Sequence, residues 1–334
     1  VLFRSIYYIT AVFATLFLVG CGDGIDLPGV NVETDLNKIP LPDNNVNLEQ
    51  VELKPSTEPM LHEGLHTEED FQRIRDKKAA GEEPWVSAYQ LLVESQFSQK
   101  TADTYPTEWI KRGVSGDENY MNAARGATIA YQQALRWKIE QDDEYAAKAV
   151  ENLNKWVQTC VGVTGNTNLS LAAGLYGYEF AIAGELLRDY EGWDRADFAA
   201  FQNWLLKVFY PANDDFLKRH HDTNALHYWA NWCLCNIAAK MAIGIVTDRR
   251  DIYNEGIAHL QTGDTNGRLR RAIYHDYAPD YNFAQWQESG RDQGHTLMCV
   301  GLMGIICQLA WSQGDDFFAY DDNLFLRACE YATC

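Results

Sequence analysis

Two stretches of this 334-residue chain gather side chains that could do chemistry. The first is Asn224-Ala225-Leu226-His227-Tyr228-Trp229-Ala230-Asn231-Trp232. On a helix, Asn224, His227 (or Tyr228) and Asn231 fall at steps of three and four. An amide, an imidazole or phenol, and a second amide then share one face. A helix with a purely structural duty would line that stripe with apolar residues. The alternative is a helix end capped by Asn224, with His227 on a wet surface. Trp229 and Trp232 suit the core better than a ligand. The second stretch is Gln285-Trp286-Gln287-Glu288-Ser289-Gly290-Arg291-Asp292-Gln293-Gly294-His295-Thr296. If a helix runs from Arg291, then Arg291 and His295 stand four apart on one face. Two cation-capable donors there can clamp a carboxylate, Arg by its planar fork. Glu288 or Asp292 is placed to orient them. A salt-bridged helix start would leave the same trace.

Other chemistries find less support. There is no GxSxG, and no Cys stands in a nucleophile motif. GxGxxG, P-loop and HExxH patterns are missing, and no Cys pair has CxxC spacing, so no metal or nucleotide cofactor is called for. Paired carboxylates for glycoside hydrolysis remain open, because their spacing is three-dimensional. The net charge of −19 argues against nucleic acid or anionic lipid as the main partner. A polyanion would need a local cationic pocket. Ten Trp, 18 Tyr and 14 Phe suit a core plus a carbohydrate-stacking cleft. Cys160, Cys233, Cys235, Cys299, Cys307, Cys329 and Cys334 read mostly as small buried hydrophobes.

The elements that must position these groups are helical. Residues 1–20, with Arg4 and an apolar run from Ile6 to Gly20, read as a signal peptide, and Leu18-Val19-Gly20-Cys21 is lipobox-like. Lipid on Cys21 would anchor a bacterial lipoprotein to a membrane, in the periplasm or at the outer membrane or cell surface. Residues 21–60 lack apolar periodicity and read as a disordered linker. From Leu61 onward, apolar residues recur at steps of three and four: in 120–138, 145–160, 171–190, 198–209, 225–246, 251–261, 295–312 and 322–333. Gly162–Asn168, Tyr210–Asp215, Gly263–Gly267 and Tyr277–Asn282 read as loops. Strand-like alternation is nearly missing. The expected fold is all-α: antiparallel helical hairpins in series, closed into an α/α toroid over residues 61–334. A helical solenoid competes. The helical pattern still runs at Cys334, so the domain is expected to be C-terminally truncated.

At the two polar stretches the chain resembles the alginate lyase superfamily of polysaccharide lyases, in the branch that cleaves alginate and glucuronan. Further matching segments are His66-Thr67-Glu68-Glu69-Asp70-Phe71, Glu83-Pro84-Trp85, Tyr145-Ala146-Ala147-Lys148-Ala149 and Ala172-Ala173-Gly174-Leu175-Tyr176-Gly177-Tyr178-Glu179-Phe180. The resemblance implies an α/α toroid with a central cleft and β-elimination on a uronic acid polymer. Such chemistry neutralises the substrate carboxylate, removes the C5 proton and protonates the departing O4. In relatives an Asn, a His and an Arg polarise the carboxylate, and a Tyr serves as base, acid or both. Here Arg291 matches the motif Arg, His295 the motif His, and Asn231 the Asn before Trp. The adjacent Asn-His of better-known members falls on Ala225 and Leu226, which makes His227 an offset candidate. Where some relatives carry Tyr, seven residues after the motif Arg, this chain has Met298. Tyr228 therefore ranks first as the phenol, followed by Tyr281 and Tyr277. A Tyr base with an ordinary pKa of about 10 needs positive charge nearby, which Arg291 and His295 would supply. Asn122, Arg125, Tyr176, Tyr178, Trp232 and Gln287 are the expected substrate-binding walls.

Three readings follow. The leading one is a uronan lyase whose partners are an anionic polysaccharide and, through the lipid, a membrane. The others are a non-catalytic glycan-binding surface lipoprotein and a toroidal glycoside hydrolase. A binding protein needs stacking platforms but no donors converging on one carboxylate.

Overall fold

The computed structural model describes residues 59–278 and 281–333. The expected signal peptide, the lipidation candidate Cys21, nearly all of the expected linker, and Cys334 lie outside the described residues.

Twelve helices and four short strands make up the described chain, in the order α1 (Glu68–Ala79), α2 (Trp85–Glu94), β1 (Trp109–Arg112), α3 (Tyr120–Glu140), α4 (Asp143–Thr159), β2 (Gly162–Gly165), α5 (Leu169–Leu186), α6 (Arg195–Val208), α7 (Tyr210–Arg219), α8 (Ala230–Val246), α9 (Arg250–Thr262), α10 (Leu269–Ala272), β3 (Ile273–Asp276), β4 (Ala284–Trp286), α11 (Gln293–Ser312) and α12 (Tyr320–Thr333). Three single-turn 3₁₀ segments matter below: Gln96–Ser98, His220–Asp222 and Gln287–Gly290.

Helices α3, α5, α8 and α11 pack side by side as an inner row. Between members of the row the chain returns on outer helices: α4, then α6 with α7, then α9. The inner helices therefore all begin on one face of the ring and end on the other. Their composition explains their place. Every residue of α5 except Leu169, and every residue of α8 except Trp232, is buried. A helix apolar all round has no solvent face to offer and must sit inside. Gly174 lets α5 and α8 approach closely: a Cβ there would lie 2.5 Å from Cys235 Sγ and 3.0 Å from Asn236 N. The outer helices are amphipathic, and two of them are capped by side chains: Asp142 accepts from Glu144 N at 3.0 Å at the start of α4, and Asp194 from Ala196 N at 2.7 Å at the start of α6. Helix α11 is long and apolar enough to cross a membrane by composition, yet it packs against α8.

The face where the inner helices end is laced by one arginine and one strap. Arg188 donates to the last carbonyls of α8, Ile245 O at 3.2 Å and Val246 O at 2.9 Å, and pairs with Glu185 and Asp248. The strap is Pro59–His66. Gln313 at the end of α11 accepts from Leu61 N at 2.9 Å and donates to Leu61 O and Glu63 O, while Arg250 donates to Pro59 O at 2.6 Å. The described chain thus enters on the face opposite the starts of the inner helices.

Several local expectations need correction. Tyr210–Asp215 is not a loop but the start of α7, where Pro211 fits the first turn because its missing N–H has no partner to lose there. The Gly162–Asn168 loop contains β2, which pairs in parallel with β1 from Trp109↔Gly162 to Arg112↔Gly165. Asn224–Trp229 is not helical. The Asn224 side chain accepts from Leu226 N at 2.8 Å and its carbonyl from His227 N at 2.9 Å, so local turn bonding replaces the helix. Helix α8 begins only at Ala230. Likewise α11 begins at Gln293, not Arg291, because the Asp292 carboxylate accepts from His295 N at 2.8 Å and caps it. The shared-face arguments for Asn224, His227 and Asn231, and for Arg291 with His295, therefore fail as stated. Cys160, Cys233, Cys235, Cys299 and Cys307 are free and buried, as their apolar neighbourhoods suggested, and Cys329 is partly buried.

Candidate active site

Tertiary packing brings together what helical spacing does not. The antiparallel β3–β4 hairpin and the Gln287–Gly290 turn carry the second polar stretch to the start of α8. Gln287 Oε1 accepts from Ala230 N at 2.8 Å, and Glu288 Oε1 accepts from Asn231 N at 3.1 Å. Two of the unsatisfied N–H groups at the start of α8 are thereby capped from another part of the sequence. Glu288 is fully buried, and its other oxygen, Oε2, has no hydrogen-bond partner and lies 3.9 Å from Arg291 Nη1. Burial pushes the Glu288 carboxyl up to about 7, against the opposing pull of the Asn231 N–H and the Arg291 charge. Asn231 and Arg291 thus flank one buried carboxyl.

Each expected catalytic residue has a definite place. Asn231 is on the first turn of α8; its Nδ2 faces Met298 Sδ at 3.7 Å and its buried Oδ1 has no partner. The residue seven after Arg291 is therefore a thioether lying against Asn231. Arg291 sits over the ring of Trp229, 5.7 Å from its centroid, so this indole supports the cation rather than filling the core. His295 Nδ1 lies 2.7 Å from Asp292 Oδ2. Burial raises the Asp292 carboxyl, but the His295 amide and ring and the Arg291 charge outweigh it and hold it below the usual range. Asp292 therefore caps α11 and orients the imidazole with one carboxylate. Tyr228 is enclosed by rings: His227 at 4.9 Å, Trp232 at 4.7 Å, Phe216 at 5.2 Å and His221 at 5.8 Å between centroids. Asn266 on the α9–α10 loop fixes its backbone, donating to Tyr228 O at 2.8 Å. Of the other phenols, Tyr277 donates to Gln285 within the β3–β4 hairpin at 2.8 Å, and Tyr281 is exposed.

The expected substrate-binding walls hold up less well. Tyr176 and Tyr178 are each 2% exposed, in the middle of α5. Neither offers a face to a sugar, because α5 is surrounded by its neighbours. Gln287 spends its carbonyl oxygen on the α8 cap. Trp232 is half-buried against Tyr228 and Phe216. Asn122 is half-buried on the first turn of α3, and Arg125 is exposed one turn further.

Three groups at this face escaped the sequence reading. His220 and His221 follow α7 in the left-handed region, with φ of 48° and 53°, a conformation that costs of order 1–3 kcal/mol per non-glycine residue and is held by its surroundings. His221 Nε2 lies 3.0 Å from Ser170 Oγ at the start of α5, and His220 Nε2 3.5 Å from Cys233 Sγ. Burial lowers both imidazoles, His220 to about 4. Their only trace in the sequence is the His-His pair before Asp222-Thr223-Asn224. The third is Arg112, at the end of β1, whose guanidinium lies 4.6 Å over the Tyr120 ring. Among the described residues no group of three or more His, Cys, Asp or Glu side chains is arranged to hold a metal ion.

Asn231 and Arg291, the amide and guanidinium named by the sequence resemblance, thus flank Glu288 at the start of an inner helix. The family model described as alginate lyase matches residues 74–333. The chain belongs to the alginate lyase family. Its all-α toroid is also the fold of solved alginate lyases. A variant of alginate lyase A1-III complexed with tetrasaccharide aligns at a TM-score of 0.61 and 14% identity, covering 82% of this chain and 77% of that one. Alginate lyase A1-III from Sphingomonas species A1 aligns at 0.57 and 13%, covering 82% and 78%. An alginate lyase from Bacteroides ovatus aligns at 0.54 and 14%, covering 80% and 82%. No curated protein matches the sequence. This alginate lyase family member is a polysaccharide lyase.

Proposed function

We propose that this family member cleaves a uronic acid polymer, alginate or glucuronan, by β-elimination at the face where the inner helices begin. The observation that carries the reading is the meeting of Asn231 and Arg291 around Glu288, with His295 one turn into α11. In the proposed reaction the carboxylate of the bound uronate lies against Asn231, Arg291 and His295. Their donors draw charge from C5 and stabilise the aci-carboxylate formed when its proton leaves. Such preorganised stabilisation is usually the largest single contribution to catalysis. Tyr228 as phenolate takes the C5 proton. The C5 electron pair forms the C4–C5 double bond as the C4–O4 bond breaks, and the proton on Tyr228 passes to the departing O4. One phenol then serves as base and acid, and general acid–base catalysis of this kind contributes about 10²–10⁴-fold. The Arg291 guanidinium supplies the positive charge that a phenolate needs, within a protein of net charge −19. His227 and His221 border Tyr228 and hold its ring.

For the cellular setting we propose export and lipid attachment at Cys21, on the strength of the leader-like residues 1–20. Entry of the chain opposite the candidate site supports this, since a tether there would leave the cleft facing outward.

The test is to incubate the protein with alginate, glucuronan and hyaluronan and follow the ultraviolet absorbance of the new double bond. A lyase produces it, whereas a hydrolase shortens the polymer without it and a binding protein does neither. Arg291→Ala should abolish the signal on whichever uronan is cleaved; unchanged turnover would refute the assignment.

A further inference from the structure

Two carboxyl groups stand beside the Arg291 guanidinium, each just beyond hydrogen-bond reach: Glu288 Oε2 at 3.9 Å from Nη1, and Asp292 Oδ2 at 3.9 Å from Nε. The guanidinium lies over the Trp229 ring and is 29% exposed. Asp292 is already engaged, by the His295 ring at 2.7 Å and the His295 amide at 2.8 Å. Glu288 is engaged on one oxygen only. Its Oε1 accepts from Asn231 N, whereas Oε2 is buried with no hydrogen-bond partner. A carboxylate shut away from water with an oxygen unsatisfied is far costlier than a neutral carboxyl.

Among the described residues, Arg291 is the one cation that Glu288 can turn to. On its own turn Glu288 faces Arg291 and Asp292. From α8 it meets the Asn231 N–H and the Cys233 thiol, and from α11 the Cys299 thiol, 4.0 Å from Oε1. Burial pushes both thiols up, so neither is charged. Strand β4 brings Ala284, Gln285 and Trp286, none of which titrates. Helix α10 packs against the same turn, but Arg270 pairs with Asp276, and Arg271 lies in the field of Arg268 and Asp264. Ionised Glu288 and a bound uronate would therefore claim the same guanidinium.

We propose that Glu288 is a positioning residue that must be neutral for the uronate to bind: protonated, it leaves Arg291 to the substrate carboxylate, and ionised, it draws the guanidinium back. This rests on the uronan lyase reading. A uronate that binds above about pH 7, where Glu288 ionises, brings one proton from solvent onto Glu288, and no covalent bond changes. Affinity for uronates falls as pH rises, while the phenolate fraction of Tyr228 grows. KM and kcat then rise together.

The test measures KM and kcat on a cleaved uronan from pH 6 to 8 for wild type and Glu288→Gln, which keeps an acceptor for Asn231 N but does not ionise. Wild-type KM should rise about tenfold over this range, as one-proton linkage through pH 7 requires, and KM of Glu288→Gln by no more than about twofold. The slope of kcat with pH should be the same in both. Any pH dependence from His295 is common to the two proteins. Calorimetry counts the proton directly, with an oligouronate binding to Tyr228→Phe, with and without Glu288→Gln, at pH 8 in buffers of different ionisation enthalpy. Uptake should be about one proton with Glu288 in place and close to zero without it. A flat wild-type KM, the same rise in Glu288→Gln, or equal proton uptake would overturn the inference while sparing the lyase reading. If wild type cleaves no uronan, the lyase reading falls instead. Proton uptake then decides the inference alone, with equal counts or no binding against it.

Discussion

Replacing Glu288 by Gln exchanges one carboxyl oxygen for an amide and leaves the acceptor for Asn231 N in place. The wild-type carboxyl is fully buried and titrates at about 7 instead of its ordinary 4.5. Below pH 4.5 the group is protonated in both folded and unfolded chains and makes no pH-dependent difference. Above 4.5 the unfolded chain releases the proton while the folded one holds it, so stability falls with rising pH. The fall continues to about 7 and then levels off. At about 1.36 kcal/mol per tenfold change in proton affinity, the whole step is of order 3 kcal/mol. A Gln at this position does not titrate, so the Arg-flanked site loses its alkaline penalty. At roughly 2 °C per kcal/mol for a domain of this size, Glu288→Gln should melt about 6 °C above wild type at pH 8 and close to it at pH 4.5. Thermal unfolding of both proteins across pH 4.5–8, by circular dichroism, reads this directly. A difference in Tm that is the same at both ends of the range would refute the claim that burial governs this carboxyl.

Glu179, 3% exposed on α5, carries a buried Oε1 without a partner, and burial pushes its carboxyl up to about 8. Its stability penalty should therefore grow from pH 4.5 to about 8, and Glu179→Gln should gain Tm at pH 9 but not at pH 4.5. Lys240 is fully buried, with Nζ 2.8 Å from Asp214 and 2.5 Å from Glu255. Lys240→Met removes a cation from Asp214, which keeps Lys218 at 2.8 Å, and from partly exposed Glu255, and should lose about 1–3 kcal/mol in denaturant titrations; no loss at all would show that the pairing contributes nothing. Asp292→Asn keeps a side-chain acceptor for the α11 cap, but removes the charge beside His295. It should hold Tm near wild type and lower kcat, whereas Asp292→Ala should lose about 1 kcal/mol as well.

The ring of helices was legible because its evidence is local. Steps of three and four in 145–160 or 198–209 report a buried stripe whatever lies opposite, and an apolar run such as Ala230–Val246 reports burial on all sides. The helix starts were less legible. Asn224 and Asp292 are the residue types that leave a helix or cap it, and which of these each does depends on one or two hydrogen bonds. The site was legible as a set of residue types but not as geometry. Asn231 and Arg291 meet because Gln287 and Glu288 cap α8 across 57 residues of chain. No periodicity within either stretch contains that contact. Tyr176 and Tyr178 show the opposite failure: beside Gly174 and Gly177 an aromatic looks available to a ligand, but glycine there admits a neighbouring helix.

The central claim is that Asn231, Arg291 and His295 surround one uronate carboxylate beside Tyr228. A crystal structure of Tyr228→Phe, slowed so that an oligouronate survives, would test it most directly. The account predicts a sugar carboxylate within hydrogen-bonding distance of Asn231 and Arg291, with C5 facing the ring at position 228. An oligouronate bound elsewhere on the ring, or one whose carboxylate points away from Arg291, would contradict it.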